Sequence, residues 1–199
     1  SLALNPYGLA SDNEDWDKYN ERFITFYKQA LEYIIEKNKQ GVFFREDYAT
    51  IILRKILTPY TTGFVDLQSP AGTVNSVLIY NYDGYVYASD ESRMLAENGD
   101  YTFRLGTISD KYEDIVYGEK VRKMGKIWAN ETLAGCSDCP IKAYCGAEPV
   151  RNHSTQGDMY GFRPSSFVCK KNQAIIEYII ALMIERGDEV MPIFRSWLR

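Results

Sequence analysis

The chain has 199 residues, of which 45% are apolar and 25% charged, and its formal net charge at pH 7 is −4. These values are ordinary for a globular protein of one large or two small domains with a sizeable core. The acidic charge argues against nucleic acid as a partner, because proteins that bind it are usually basic. The longest apolar stretch, around 175–184, is broken by Glu177 and is too short for a membrane span.

The first third of the chain predicts two helices and a loop. Ser11–Glu14 has the pattern of a capping box, and apolar residues recur at helical spacing after it, so a long helix is expected over about 12–38. A second helix is expected over about 45–57 and ends before Pro59. Residues 60–73 are rich in Thr, Gly, Pro and Ser, which is typical of a loop.

The middle of the chain predicts a β-hairpin. Two runs rich in β-branched and aromatic residues, 77–80 and 85–88, flank the turn sequence Asn-Tyr-Asp-Gly. Three further elements are expected after it: a helical turn over 90–97, a short strand or loop over 103–106, and an interrupted helix over about 110–132.

The last third predicts a long loop and a final helix. The loop covers 135–170, and the helix begins near Lys171 and continues to about Arg186. One or two amphipathic helical turns are expected over 191–198. The sequence therefore predicts an α+β fold that is mostly helical, with a small antiparallel β-hairpin and a Cys-rich metal-binding loop.

The four cysteines of the chain all lie in that long loop; they are Cys136, Cys139, Cys145 and Cys169. Four thiolates form a complete tetrahedral ligand set for one metal ion or one cubane iron–sulfur cluster. Two disulfides are an alternative, but disulfide-rich chains are usually small and secreted. A redox dithiol is another, but it usually lies at a strand–helix unit, which the pattern lacks. We therefore predict a metal centre.

The spacing of the cysteines leaves the metal open between zinc and an iron–sulfur cluster. Zinc sites usually have paired Cys-x2–4-Cys motifs, whereas here one such pair is followed by a third cysteine six residues later and a distant fourth. This uneven spacing favours a loop wrapped around a larger cluster. His153, the sole histidine, could replace a cysteine as ligand, but four cysteines make this unnecessary.

Other residues of the loop predict supporting roles. Positive side chains could offset the charge of four thiolates; the candidates are Lys142, Arg151, Lys170 and Lys171. Three glycines could permit tight turns or bring backbone N–H groups close to sulfur; they are Gly146, Gly157 and Gly161.

The order of these motifs resembles the SPASM/twitch extension of radical S-adenosylmethionine (radical SAM) peptide maturases, and within it the B-type maturase of His-Xaa-Ser systems. The resemblance is in Asp83-Gly-x-Val-Tyr, a Leu105-Gly-x-Ile step and Cys136-x2-Cys-x5-Cys with a late cysteine. The opening Asn5-Pro-Tyr-Gly resembles the end of a radical SAM barrel, so we expect an excised piece of a longer protein. The resemblance implies two regions: 1–74, a helical region after a missing barrel, and 75–199, the auxiliary-cluster domain with its C-terminal helix.

The chain departs from the family pattern at three places. A full SPASM motif has a fourth cysteine where Pro149 lies, and another near Ser89. The resemblance therefore implies one auxiliary 4Fe–4S cluster, bound by Cys136, Cys139, Cys145 and Cys169. The Cys-x3-Cys-x2-Cys motif that binds the catalytic cluster and S-adenosylmethionine is absent from the sequence. The chain alone is thus expected to have no catalytic residues.

The function implied by the resemblance is an auxiliary iron–sulfur domain of an enzyme that modifies a ribosomally made peptide. Its expected partners are the precursor peptide and the missing barrel, which would carry S-adenosylmethionine and the second 4Fe–4S cluster. Neither nucleic acid nor a membrane is expected as a partner, and the expected location is the cytoplasm. The alternative is a non-catalytic zinc-binding structural or interaction module.

Overall fold

A computed structural model describes residues 16–146 and 148–199 of the chain. These residues divide into two compact units. The first, which we call the sheet unit, is Gly63–Arg163; the second, the helical unit, combines 16–62 with Pro164–Arg199. The helical unit is thus assembled from stretches on either side of the sheet unit in sequence. The domain division expected from the resemblance, 1–74 and 75–199, stays a prediction.

The α-helices, in chain order, are α1 (Trp16–Lys39), α2 (Asp47–Leu57), α3 (Asp90–Glu97), α4 (Tyr112–Val116), α5 (Glu119–Gly125), α6 (Pro149–Gln156), α7 (Phe167–Glu185) and α8 (Gly187–Trp197). The strands are β1 (Ile79–Tyr80), β2 (Tyr85–Tyr87) and β3 (Arg104–Thr107). No helix in the described part of the chain combines the length and the apolar character needed to cross a membrane.

The helical unit buries the apolar faces of α1, α2, α7 and α8. Its fully buried side chains include Leu31, Ile35, Ile52, Leu53, Ile175, Ile176, Ile179, Phe194 and Trp197. Polar contacts link helices that are distant in sequence: the Tyr48 hydroxyl donates to Asn172 Oδ1 at 2.7 Å, and Arg186 donates to Glu32 at 2.7 Å. Hydrophobic burial supplies most of the stability of such helices, and these contacts fix how they align.

The sheet unit contains a three-stranded antiparallel sheet in the order β1-β2-β3. Its first turn forms where the Asp-Gly sequence predicts it. Gly84 has φ of +81°, which costs a glycine little. The Asp83 carboxylate accepts hydrogen bonds from the Tyr85 amide at 3.0 Å and from the Tyr87 hydroxyl at 2.6 Å. The turn and the strand after it are therefore held by one side chain.

The α+β prediction is confirmed, and the segment predicted as a short strand or loop over 103–106 is β3, paired with β2. The long helix predicted from residue 12 is helical from Trp16 onward. The capping box at Ser11–Glu14 and the motif at Asn5–Gly8 lie outside the described residues.

Two predictions for the last third of the chain were wrong in detail. The segment 135–170 is not a continuous loop, because it contains α6, whose first residue is Pro149 and whose N-cap Glu148 accepts from the Arg151 amide. The final helix begins at Phe167 and not near Lys171, since Ser166 caps it by accepting from the Cys169 amide. The last turns expected over 191–198 belong to the longer helix α8.

Candidate metal centre

Three of the predicted cysteine ligands lie in one loop of the sheet unit, built from successive tight turns. The amide of Cys136 donates to the Leu133 carbonyl at 3.0 Å, and the amide of Cys139 to the Cys136 carbonyl at 3.1 Å. The amide of Cys145 donates to the Ile141 carbonyl at 3.2 Å. The backbone of this cysteine loop, which we define as residues 133–146, is therefore satisfied mainly within the loop itself.

A buried asparagine fixes the middle of the cysteine loop. Asn130 is 1% exposed; its side-chain Nδ2 donates to the Lys142 carbonyl at 3.0 Å, and its backbone amide donates to Ser69 Oγ at 3.0 Å. The Lys142 ammonium itself donates to the Ser137 carbonyl. Asn130 thus joins the loop to Ser69, and the Lys142 ammonium links two turns of the loop.

Gly146 fixes the end of the cysteine loop, directly after Cys145. The backbone of Asp66–Leu67 passes so close that a Cβ atom on residue 146 would lie 2.6 Å from Leu67 Cα and closer still to the Asp66 carbonyl oxygen. Real Cβ atoms do not approach backbone atoms so closely. A glycine is therefore needed at 146 because another chain segment packs closely against it; the tight turn predicted for Gly146 stays a prediction.

The Cys136 thiol is buried among apolar residues, and charged or ionisable side chains affect its pKa. Cys136 is 9% exposed and belongs to a buried cluster with Ala71, Ile127 and Leu133. Burial raises the pKa of its thiol; Arg163 opposes this rise, and the neighbouring Cys145 and Cys139 thiols add to it. The Cys139 and Cys145 thiols therefore lie near enough to Cys136 to affect its pKa. Because a metal binds the thiolate, its binding must displace these protons.

The fourth predicted ligand, Cys169, lies in the helical unit, in the first turn of α7. Its backbone amide donates to the Ser166 hydroxyl at 3.2 Å. No disulfide joins the four cysteines, all of which lie in the described residues. Within the same residues, no three His, Cys, Asp or Glu side chains are grouped so that they could hold a metal ion. The four-cysteine ligand set therefore stays a prediction.

Two buried hydrogen-bond donors of the sheet unit have no acceptor in the described part of the chain. They are Nη1 of Arg163, a residue that is 6% exposed, and the indole Nε1 of Trp128, which packs against the cluster that contains Cys136. Buried donors without acceptors are costly. A negatively charged sulfur centre is one kind of acceptor for such donors, but the described residues bring no three metal-ligand side chains together.

Sequence reasoning missed both of these donors. Of the basic residues it selected instead, Arg151 pairs with Asp66 at 3.2 Å, and Lys142 is engaged with a loop carbonyl. Lys170 and Lys171 lie in the helical unit. Nothing in the sequence around Arg163 distinguishes a buried arginine from an exposed one, because its burial arises from the fold.

The sole histidine has a partner that is not a cysteine. His153 lies on α6, and its Nε2 is 2.7 Å from Asp100 Oδ2, while its ring packs edge-on against Phe103 at a centroid distance of 5.4 Å. With Nε2 engaged in this way, the residue connects α6 to the segment before β3. The geometry indicates a structural role for His153.

The two positions where the family pattern has further cysteines also have local structural roles. Ser89 is fully buried and caps α3, since its hydroxyl accepts from the Ser92 amide while the Ser92 hydroxyl accepts from the Ser89 amide. Pro149 occupies the first position of α6, where its missing N–H costs nothing. Both residues therefore suit helix initiation.

The fold has a counterpart among solved structures. One match is the structure of a hexahistidine-tagged anSMEcpe with bound AdoMet, an anaerobic sulfatase-maturating enzyme of the radical SAM class. The TM-score is 0.63 at 18% sequence identity, and the match covers 90% of this chain and 44% of that one. No protein-family model matches the sequence, and a search of curated proteins finds no match. The chain therefore has the fold of part of that enzyme, and spans less than half of its length.

Proposed function

We propose that this chain is the auxiliary iron–sulfur domain of a radical SAM enzyme that modifies a ribosomally made peptide. The observation that carries the proposal is the cysteine loop of the sheet unit, in a chain whose fold matches part of a radical SAM maturase. In this proposal Cys136, Cys139, Cys145 and Cys169 bind one 4Fe–4S cluster. The catalytic cluster and S-adenosylmethionine would belong to a barrel domain outside the chain.

The proposed ligands define what the domain can do. A cluster of this kind supplies electron transfer, at a potential set by its charge, burial and hydrogen bonds. Four protein thiolates fill the ligand set, so a peptide would not be bound through iron. The thiols must lose their protons, and the resulting binding energy would stabilise the cysteine loop. In this proposal the cluster stabilises the cysteine loop and transfers electrons, while the catalytic residues belong to the barrel domain.

Anaerobic reconstitution with iron and sulfide, followed by iron, sulfide and zinc analysis, tests this proposal. We expect about four irons and four sulfides per chain for the wild type, and substantially less for Cys145→Ala, because one ligand is missing. Ser137→Ala is the matched control: it changes the same loop but leaves every thiol in place, so its iron content should equal that of the wild type.

Two results would count against the proposal. Stoichiometric zinc without iron uptake would contradict it and favour a zinc-binding structural or interaction module. Full cluster content in Cys145→Ala would show that this cysteine is not a ligand.

The edge of the sheet suggests how the peptide would bind. Strand β1 is one of the two outer strands in the order β1-β2-β3, and its Tyr80 is 58% exposed. Tyr82, in the turn that follows, is 86% exposed. An extended peptide can pair its backbone with such an edge, while exposed tyrosines contact its side chains. In our proposal the precursor peptide adds to β1 in this way.

Hydrogen exchange tests this mode of binding. We expect the amides of residues 77–80 to exchange more slowly when the precursor peptide is bound, because edge pairing supplies them with acceptors. Amides in α8, in the helical unit, serve as the internal reference and should not change. Unchanged exchange over 77–88 at saturating peptide would rule out edge pairing.

A further inference from the structure

We infer that Arg104 and Lys120 of the sheet unit form a binding site for a carboxylate, and that its ligand is an acidic side chain of the peptide substrate. The identity of the ligand rests on the proposed function, because that function supplies the peptide. The site itself depends neither on a metal nor on the cysteine loop. Arg104 is the first residue of β3, and Lys120 lies in α5.

Two tyrosine rings hold the Arg104 guanidinium in place. Its Cζ atom lies 3.8 Å from the centroid of the Tyr85 ring and 4.1 Å from the centroid of the Tyr101 ring. Tyr85 belongs to β2, whereas Tyr101 lies in the segment before β3. Stacking on rings leaves the N–H donors in the guanidinium plane free to bind a planar anion. A side chain that is already ordered also loses less entropy when a ligand binds.

The donors of Arg104 are not used up by the described residues. Its Nε is a third buried donor of the sheet unit that has no acceptor among them. The Tyr87 hydroxyl is its hydrogen-bond partner, and that hydroxyl also donates to Asp83 Oδ2 at 2.6 Å. A guanidinium carries more N–H donors than this one hydroxyl can accept. Arg104 can therefore take a further acceptor.

The positive charge of Arg104 is offset only in part. The Asp83 carboxylate interacts electrostatically with it, but that carboxylate accepts from the Tyr85 amide at 3.0 Å and from the Tyr87 hydroxyl. No ion pair within the described part of the chain includes Arg104. A carboxylate from outside these residues would supply that ion pair.

A second positive charge lies beside the first. The Lys120 ammonium donates to the Arg104 carbonyl at 2.7 Å and lies 3.5 Å from the Tyr101 carbonyl oxygen. Burial lowers the pKa of Lys120, and the charge of Arg104 lowers it further. Lys120, like Arg104, is in no ion pair with a described residue. Because like charges repel, two such cations close together favour a bound anion.

A carboxylate of an extended peptide suits the chemistry and the place of this pair. Arginine binds a carboxylate through two parallel hydrogen bonds, and lysine adds a point charge. Tyr101 is 51% exposed, so its ring can contact neighbouring atoms of the ligand. Tyr87 is paired with Ile79 of β1 on one side and with Arg104 on the other. At about 4.8 Å per strand, a peptide added to β1 reaches the site with roughly four or five further residues.

Nuclear magnetic resonance of the isotope-labelled chain tests the inference. The probes are two synthetic peptides with blocked ends, Gly-Glu-Glu-Gly and Gly-Gln-Gln-Gly, titrated at physiological ionic strength. We expect saturable shifts of the Arg104 Nε–H signal and of amides in 101–107 with the glutamate peptide, and none with the glutamine peptide. The two peptides have the same length and shape, so a difference between them reports the carboxylates.

Four variants assign the binding to the two side chains. Arg104→Gln should weaken the glutamate peptide roughly 10–100-fold, because a charged hydrogen-bonding partner is lost. Arg104→Lys should also bind less tightly, since it keeps the charge without the paired donors. Lys120→Gln should weaken binding by a smaller factor. The matched control Arg122→Gln removes a charge from an exposed position on the same helix and should bind like the wild type.

Three results would overturn the inference. The first is an equal response to the two peptides, and the second is wild-type affinity in Arg104→Gln. The third is a response to inorganic phosphate without one to the glutamate peptide, which would indicate an anion site that does not take carboxylates. If Arg104→Gln loses its folded spectrum, Lys120→Gln decides the matter, because its side chain is not stacked on the tyrosines; unchanged affinity in that variant would then overturn the inference.

The outcomes also separate the inference from the proposed function. A chain that takes up zinc and no iron, but binds the glutamate peptide through Arg104, contradicts the proposed function and retains the carboxylate site. A chain that assembles its cluster and does not respond to the glutamate peptide overturns the inference alone.

Discussion

Gly146→Ala is expected to destabilise the sheet unit and to reduce its metal content. The added methyl group would lie 2.6 Å from Leu67 Cα, so the backbone on one side must move. Overpacking of a tight site typically costs about 1–3 kcal/mol, and backbone atoms yield less easily than side chains, so we expect about 2–4 kcal/mol. Because Cys145 is the preceding residue, the same movement would displace its thiol. Chemical denaturation and metal analysis of the purified variant would check both effects.

Gly187→Ala is the matched control for this experiment. It adds the same methyl group at the start of α8, where a Cβ atom would contact nothing within 4 Å and φ is ordinary. Its stability should equal or slightly exceed that of the wild type, because alanine favours a helix. Equal stability of Gly146→Ala and Gly187→Ala would contradict the close packing between residue 146 and Asp66–Leu67.

Glu148→Gln is expected to remove a strong pH dependence from the stability of the protein. Glu148 is 3% exposed, and its carboxyl accepts from the Arg151 amide at 2.6 Å and from the Thr73 hydroxyl at 2.9 Å. Burial raises the pKa of this carboxyl to about 7, despite the opposing hydrogen bond from the Arg151 amide; the negative charge of Asp66 raises it further.

The sign of the effect follows from this elevated pKa. The folded protein holds a proton on Glu148 between about pH 4.5 and 7 that the unfolded chain releases. The contribution of protonated Glu148 to the unfolding free energy is complete below the pKa that this carboxyl has in the unfolded chain, and it is lost as the pH rises through about 7. At about 1.36 kcal/mol per pKa unit, the unfolding free energy of the wild type should fall by roughly 3 kcal/mol between pH 5 and 8.

Denaturation of the wild type and Glu148→Gln across that pH range would measure this difference. The neutral amide resembles the protonated carboxyl, so the variant should lose less stability and should be the more stable protein at pH 8. Glu131→Gln, at an exposed position, is the control and should follow the wild type. Parallel curves for the wild type and Glu148→Gln would show that this carboxyl is ionised throughout.

Periodicity and turn chemistry were enough to predict most of the elements. The second helix, the Asp83-Gly84 hairpin and α3 lie close to their expected positions because each depends on local signals. The helix inside the cysteine segment also had such signals, with Pro149 at its start and Gly157 at its end, where φ is +71°. The sequence prediction gave more weight to the cysteines in this segment than to these helix signals, so it predicted a loop.

The environment of the cysteine loop could not be predicted from the sequence. The burial of Arg163, the missing acceptor of Trp128 and the passage of Asp66–Leu67 beside Gly146 all depend on segments that are distant in sequence. Charge alone suggested Arg151 as a partner of the thiolates, but the fold provides Asp66 for it. Composition and spacing identify which side chains are available, whereas the contacts between them depend on how the chain folds.

The division of the helical unit has a consequence for the order of events on the ribosome. Helices α1 and α2 are synthesised before Gly63–Arg163, and α7 and α8 after it. At about 5–20 residues per second, the first pair waits on the order of ten seconds for the second. During that interval the apolar faces of α1 and α2 lack the partners that bury them, so this nascent chain is a candidate client for chaperones that bind exposed apolar segments. The described part of the sheet unit, Gly63–Arg163, is by contrast one stretch of the sequence and can fold while α7 and α8 are still being made.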